Sequence, residues 1–180
     1  MRKLSLFSVF AMTLLAFSSC DKVEKLLFQP FESPLSFDVT IDAVSNTNSQ
    51  VVLGSQNVAY NLNQEIKDAT DDKFDASIVG AMYINEVAIT LLNADGQNNL
   101  SNFESVSLAV SSGNATPVVF GPFNVPAGAT NTANFTVANS PNIKQFFSGS
   151  QVRFELRGKA KTATTKALNA EVGATIKFDK

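Results

Sequence analysis

The sequence predicts an antiparallel β-sandwich of about nine strands with one or two short helices. Apolar and polar residues alternate with a period of two along most of the chain from residue 35 on, which is typical of strands with one buried face. Loops rich in Gly, Pro, Asn and Ser separate these stretches. Hydrophobic residues make up 44% of the chain and charged residues 17%, which favours a packed domain over a disordered one. The alternation does not distinguish two packed sheets from a closed barrel, so the barrel stays open as an alternative.

The expected strands follow from the alternation in chain order. They cover residues 35–43, 51–53, 58–62, 83–91, 105–110, 118–125, 133–137, 152–160 and 168–178. The last two lie close together in sequence and therefore predict an antiparallel hairpin. One register places five of its side chains in the core: Phe154, Leu156, Val172, Ile176 and Phe178. Gly121-Pro122, inside one of the strands, predicts a bulge or an edge position.

Two stretches predict helices. In residues 63–78, a spacing of four connects Ile66, Thr70, Phe74 and Ile78, with aspartates on the other faces, which predicts one amphipathic helix. Ser140 followed by Pro141 is typical of a helix start, because Ser caps helices and Pro suits the first helical position.

The first twenty residues have the composition of a secretory signal. A basic pair at residues 2–3 precedes an apolar run at residues 4–17, and small residues lie at the expected cleavage site. The segment ends on Cys20, the only cysteine of the chain. The sequence Phe17-Ser18-Ser19-Cys20 resembles the lipobox of a bacterial lipoprotein, whose cysteine becomes lipidated. The alternative is an ordinary cleaved signal that leaves a free thiol.

This resemblance implies a domain organisation and a location. Residues 1–19 form a signal peptide, residues 20–34 a lipid-anchored tether, and residues 35–180 the β-sandwich domain. Pro30 and Pro34 forbid a continuing helix in the tether. The mature protein is then expected outside the cytoplasm, held by lipid on Cys20 in a bacterial cell envelope. The resemblance leaves open whether the inner or the outer membrane holds it.

Several function classes are excluded by composition. The chain has no histidine, so imidazole-based nucleophile systems and metal sites are absent. No Gly-rich phosphate or dinucleotide motif occurs, and no cofactor is expected. Without Arg2 and Lys3, 12 basic residues stand against 16 acidic ones, and this net charge of −4 argues against nucleic acid. No apolar run after Cys20 has transmembrane length, so lipid is the only membrane attachment implied.

Four aspartates form the first candidate site. Asp68, Asp71, Asp72 and Asp75 could supply the oxygen ligands that Ca²⁺ prefers. Their spacing lacks the alternating ligands and the sharp Gly turn of a calcium loop. We therefore favour a solvated acidic face over a metal site.

A basic row near the C-terminus forms the second candidate. Residues 144–180 carry a net charge of +5 and residues 20–143 a net charge of −9. Arg153, Arg157, Lys159 and Lys161 share one face of a strand, where they could contact an anionic lipid or an acidic glycan. The alternative is that these charges protect a sheet against edge pairing.

The phenylalanines near loops are interpreted as core residues, because the chain has no Trp and only two Tyr to build a sugar platform. The strand pattern from Tyr83 onward loosely resembles small β-sandwich domains of bacterial lipoproteins, including those with late-embryogenesis-abundant-like folds. The sequence thus predicts a lipid-anchored binding or scaffolding protein without catalysis. Its partners would be the membrane, an envelope protein, an anionic lipid or a glycan. The alternative is a hydrolase that uses carboxylates only, acting on envelope or glycan substrates.

Overall fold

Eight strands build two four-stranded antiparallel sheets in the computed structural model, which describes residues 28–180. The strands are β1 (Phe31–Ile41), β2 (Val51–Ala59), β3 (Ala81–Leu91), β4 (Phe103–Ser111), β5 (Val118–Asn124), β6 (Thr132–Thr136), β7 (Gln151–Ala160) and β8 (Leu168–Asp179). One α-helix, α1 (Leu62–Ala69), follows β2. Short 3₁₀ helices lie at Ala76–Ile78, Leu100–Asn102 and Lys144–Phe147.

The strand order defines a jelly roll. Sheet A has the order β1-β8-β3-β6 and sheet B the order β2-β7-β4-β5. Apart from the β4–β5 hairpin, every pair of consecutive strands is divided between the two sheets. Eight strands interleaved over two sheets in this way are the double Greek key of a jelly roll. The predicted antiparallel β-sandwich is thereby confirmed.

The core lies between the sheets, because most inward residues of the strands are apolar. Phe37 of β1 stacks on Phe154 of β7 with 4.8 Å between ring centroids, which joins sheet A to sheet B at its centre. Burial of this apolar surface is the main stabilising term for a domain without disulfides. Of the five loop phenylalanines interpreted as core, Phe123 is half-buried and stacks on Phe135. The other four are buried: Phe103, Phe120, Phe146 and Phe147.

The strand count is eight rather than about nine because Gly54 does not end a strand. The expected segments 51–53 and 58–62 are one strand, β2, with a bulge between Val52 and Gly54. A Cβ on Gly54 would lie 2.7 Å from the carbonyl oxygen of Thr40. The glycine therefore allows β2 to pass close to β1 where the sheets meet.

The predicted hairpin of residues 152–160 and 168–178 is wrong. Strand β7 pairs with β2 and β4 in sheet B, whereas β8 pairs with β1 and β3 in sheet A. The linker of residues 161–167 crosses between the sheets, where Thr164 accepts a hydrogen bond from the Val44 N–H at 2.8 Å. The predicted inward residues are confirmed, since Phe154, Leu156, Val172, Ile176 and Phe178 are all buried.

The predicted helix over residues 63–78 is also wrong in its extent. Helix α1 ends at Ala69, and Ala76–Ile78 forms a separate 3₁₀ turn. Asp71 and Asp72 between them have φ of 51° and 58°, a left-handed conformation that no α-helix continues through. The helix predicted to start at Ser140-Pro141 begins later in the chain than expected. The helical turn there is Lys144–Phe147, and the Ser140 hydroxyl instead accepts a hydrogen bond from the Ile84 N–H at 2.8 Å.

The expected boundary between tether and domain, at residues 34 and 35, falls inside β1. Phe31 already pairs with Phe178 of β8, and Pro34 is accommodated because β1 is an edge strand. Phe28, ahead of the strand, is 2% exposed. The expected signal peptide, Cys20 and residues 21–27 of the expected tether lie outside the described residues.

The two ends of the sandwich differ. At the end where β1 begins and β8 ends lie α1, the 3₁₀ helices Ala76–Ile78 and Lys144–Phe147, and Phe28; we term this the α1 end. The opposite end, which we term the loop end, is formed by residues 42–50, 92–102, 125–131 and 161–167.

Candidate functional site

The basic row lies on the outer face of sheet B, as the alternation predicts, but two carboxylates neutralise half of its charge. Glu155 lies between Arg153 and Arg157 on the same strand, at 3.6 Å from Arg153 Nη2 and 2.6 Å from Arg157 Nε. Lys159 Nζ lies 2.7 Å from a carboxylate oxygen of Glu104 on β4. Lys161 follows the end of β7 and is exposed. The row is therefore a charged network with a small positive excess.

The outer face of sheet A has the opposite character. Asp38 of β1 and Glu171 of β8 lie directly opposite each other in the register, although like charges at such positions are destabilising. Five carboxylates and one lysine project from this face: Glu32, Asp38, Glu86, Glu171, Asp179 and Lys177. Of the two outer faces, that of sheet A would therefore repel an anionic partner, and that of sheet B is the more favourable one.

Three of the four aspartates of the first candidate site have separate side-chain partners, and the fourth, Asp72, is exposed and bonded through its backbone N–H to the Lys67 carbonyl at 2.8 Å. Asp68 accepts a hydrogen bond from Gln64 at 2.7 Å, and Asp71 pairs with Lys73 at 3.7 Å. Asp75 caps the turn Ala76–Ile78 by accepting from the hydroxyl and the N–H of Ser77, which lowers the pKa of Asp75. No group of three or more potential metal ligands occurs within residues 28–180.

A cleft of about 570 Å³ opens at the α1 end and was not expected from the sequence. Four chain segments converge on it: the junction of β2 with α1, the turn Ala76–Ile78, the turn Lys144–Phe147, and the loop before β7. Its walls include Tyr60, Leu62 and Phe147. The Tyr60 ring meets the Phe147 ring edge to face, with 4.8 Å between centroids.

Local hydrogen bonds hold these segments in place. The Tyr60 N–H donates to the carbonyl of Ser150 at 3.0 Å, and Asn61 caps α1 by accepting from the Gln64 N–H at 3.1 Å. Asn63 accepts from the Ala76 N–H at 3.1 Å and so ties the turn to the helix. The cleft is thus a formed feature of the fold.

One charged residue, Lys144, contributes to the lining of this cleft. Its ammonium donates a hydrogen bond to the Val79 carbonyl. Burial raises the pKa of the Tyr60 hydroxyl well above its usual value, and the carboxylate of Glu65 adds to this shift. The hydroxyl therefore stays protonated and is a hydrogen-bond donor across the physiological range.

The sequence carried only a faint signal for this cleft. Tyr60 fits the alternation of β2, and Phe147 fits a buried turn, so both are accounted for as core residues. The run Ser148-Gly149-Ser150 is the one local hint, because three small residues after two buried phenylalanines leave space above the rings. Which segments border that space depends on the sheet crossing, and this is a tertiary property.

Polar side chains organise the loop end. Asp95 accepts hydrogen bonds from the N–H groups of Gln97 and Asn98 and lies 2.7 Å from Lys166 Nζ. The Lys166 contact comes first among the causes that lower the pKa of Asp95 far below its usual value. Asn98 in turn accepts from the Thr165 N–H at 2.7 Å. The loops 92–102 and 161–167 are therefore locked to each other.

No helix within the described part of the chain is long and apolar enough to cross a membrane.

Comparison with known proteins gives similarity of fold only. No family model matches the chain, and no curated protein matches it. Among solved structures, the cyanophage Pam1 capsid asymmetric unit is 14% identical, with 84% of this chain and 88% of that chain covered and a TM-score of 0.39. The infectious bursal disease virus VP2 subviral particle is 7% identical over 83% of this chain and 32% of that chain, with a TM-score of 0.36. The Nora virus structure is 10% identical, with 84% of this chain and 61% of that chain covered and a TM-score of 0.32. At these values the similarity carries no information on function.

Proposed function

We propose that this protein is a lipid-anchored jelly-roll domain of a bacterial cell envelope, with a non-catalytic binding or scaffolding role. The observation that carries the proposal is the run Phe17-Ser18-Ser19-Cys20 at the end of a short apolar segment. Acylation of Cys20 accounts for a single cysteine at that position, whereas a free thiol in an exported chain requires a separate explanation.

The position of Phe28 supports an anchored domain with a short tether. Because Phe28 is buried in the fold, only residues 21–27 separate the domain from Cys20. Such a segment spans at most about 28 Å when fully extended. The α1 end, where Phe28 lies, would then stay close to the headgroups.

Fractionation of cells that express Cys20→Ser tests the anchor. The variant should leave the membrane fraction or accumulate unprocessed, whereas the parent chain stays with the membrane. Mass spectrometry of the parent chain should find acyl chains at Cys20, and more than one, because a single chain binds membranes only marginally. A correctly processed Cys20→Ser chain that still sediments with membranes would contradict the proposal.

The basic row is a proposed contact for anionic headgroups or an acidic glycan, and its ion pairs provide the test. Glu155→Gln removes the carboxylate shared by Arg153 and Arg157, so binding to anionic vesicles at low salt should strengthen. Arg157→Glu should weaken the same binding, since each basic residue near an anionic surface adds about 1 kcal/mol. If neither substitution changes binding, the basic row is not a contact for anions and only protects the sheet against edge pairing.

A further inference from the structure

We propose that the cleft at the α1 end binds a long-chain carboxylic acid, with the acyl chain against Tyr60 and the carboxylate at Lys144. This inference specifies a ligand for the proposed binding role, and it rests on that role only for the source of the ligand.

The walls of the cleft suit an acyl chain. Leu62 and Phe147 are buried beneath it, and Tyr60 and Ala76 border it with half-buried side chains. Its volume of about 570 Å³ lies within the range of about 300–1,000 Å³ usual for small-molecule sites. Contact with these side chains would remove apolar ligand surface from water, which is the main driving force for such binding.

The charge of the cleft selects an anion. Lys144 is the charged member of a lining otherwise made of neutral side chains. The surrounding α1 end is acidic, with Glu65, Asp68, Asp71, Asp72 and Asp75 against Lys67 and Lys73. The positive charge of Lys144 is therefore confined to this cleft and is surrounded by a mostly acidic surface.

Lys144 is also positioned to act on a ligand. Its ammonium has three donors, and the hydrogen bond to the Val79 carbonyl uses one of them while fixing the side chain. A carboxylate that accepts from the remaining donors gains a charge-assisted hydrogen bond.

The location favours a lipid-derived ligand over other anions. Phe28 packs against Phe74, two residues before Ala76 on the cleft wall, so the chain that leads to Cys20 enters the domain at this end. If Cys20 is acylated, the cleft lies within about 28 Å of the bilayer, a dense source of acyl chains.

Binding is tested without a membrane, using the mature chain from residue 20 with Cys20→Ser, which keeps every described residue. Titration with a fluorescent long-chain fatty acid should show saturable binding. Lys144→Met should weaken binding of the acid about fivefold, the equivalent of one partly exposed ion pair. The same variant should bind the corresponding uncharged alcohol as the parent does.

Gly149→Phe tests the location, because Gly149 lines the cleft and a Cβ there would meet only Ser112 Oγ at 3.8 Å. Its φ lies outside the left-handed region, so the larger side chain should fill the cleft without unfolding the domain, and saturable binding should be lost. If the variant melts early, Ser148→Trp at an exposed lining position takes its place.

Lys73→Met is the matched control, since it removes one positive charge from the same end and Lys73 pairs with Asp71 outside the cleft. It should bind the fatty acid as the parent does. The proposal is overturned if the parent shows no saturable binding, if a filled cleft binds normally, or if both lysine variants weaken binding equally. None of these outcomes bears on acylation of Cys20, which fractionation tests separately.

Discussion

The rings of Phe28 and Phe74 meet edge to face, with 5.6 Å between their centroids and 78° between their planes. Phe28 also meets Phe31 at 6.0 Å, and Phe31 stacks on Phe178 at 4.7 Å. This chain of aromatic contacts joins the segment before β1 to the last strand and to the turn after α1. Residues that the sequence assigns to a solvated tether are therefore part of the folded domain.

Phe28→Ala should lower the free energy of unfolding by about 3–5 kcal/mol, because it removes a buried ring and leaves a cavity. Urea denaturation of the mature chain measures the loss. The neighbouring Gln29 is exposed, and Gln29→Ala should change stability by less than about 0.5 kcal/mol. A chain that starts at residue 30 and unfolds at the same urea concentration as the parent would show that these contacts contribute nothing.

If Cys20 is acylated, the orientation of the domain on the membrane is measurable, because Cys20 is the only native cysteine and an introduced cysteine is then the only free thiol. A fluorophore on Ser148→Cys at the α1 end should be quenched strongly by headgroup quenchers in vesicles. The same fluorophore on Asn48→Cys at the loop end should be quenched weakly, since β8 with its 12 residues separates the two ends by about 40 Å. Equal quenching at both positions would mean that the domain lies on its side or tumbles freely.

Phe154→Ala should cost about 3–5 kcal/mol of stability, since the ring is fully buried and stacks across the two sheets on Phe37. Thr175 projects from the outer face of β8, and Thr175→Ala should cost less than about 1 kcal/mol. Thermal unfolding of both variants provides the comparison. Similar losses at the two positions would be incompatible with the observed register of the sheets.

Gly54→Ala should destabilise the domain by about 1–3 kcal/mol, because its Cβ would lie 2.4 Å from Val39 Cγ1 and must push β1 and β2 apart. Gly96 offers the matched comparison, as a Cβ there has no atom within 4 Å. Gly96→Ala should leave stability unchanged or slightly raised, since alanine restricts the unfolded chain. Equal unfolding midpoints for the two variants would refute the close approach of β2 to β1.

The pH dependence of stability should reveal the contact between Asp95 and Lys166. The folded pKa of Asp95 is lowered, so the unfolded chain binds more protons at low pH. Its contribution is therefore complete above the ordinary pKa of about 4 and is lost as the pH falls below that value. Asp95→Asn should reduce the fall of the urea midpoint between about pH 4 and pH 2. Lys166→Met should have the same effect. If the urea midpoint of both variants depends on pH as that of the parent does, the contact between Asp95 and Lys166 does not contribute to stability.

The alternation of apolar residues predicted the fold class and the inward face of nearly every strand, because that pattern records directly which side meets the core. It did not predict which strands pair. Phe154 and Val172 both point inward whether β7 and β8 form a hairpin or face each other across the core. The difference lies in the linker 161–167, where Thr164 is buried and bonded to Val44. Such a contact over a separation of 120 residues leaves no local pattern.

The candidate sites show the same limit. The face of the basic row follows from strand alternation alone, and the structure agrees with it. The neutralisation of Lys159 by Glu104 depends on β4 lying beside β7, which the sequence could not indicate. The cleft at Tyr60 and Lys144 depends on four separate segments and has no motif of its own.

The pairing of β1 with β8 determines how the domain would respond to mechanical force. Eleven residue pairs join these antiparallel strands, from Phe31 with Phe178 to Ile41 with Leu168. A pull between a lipid at Cys20 and a partner held at the loop end would act along β1 and load these pairs in shear, all at once. Shear of a full strand resists far more force than peeling, in which hydrogen bonds break one after another. If Cys20 is acylated, force on the anchor would therefore be carried by the full length of the β1–β8 pairing.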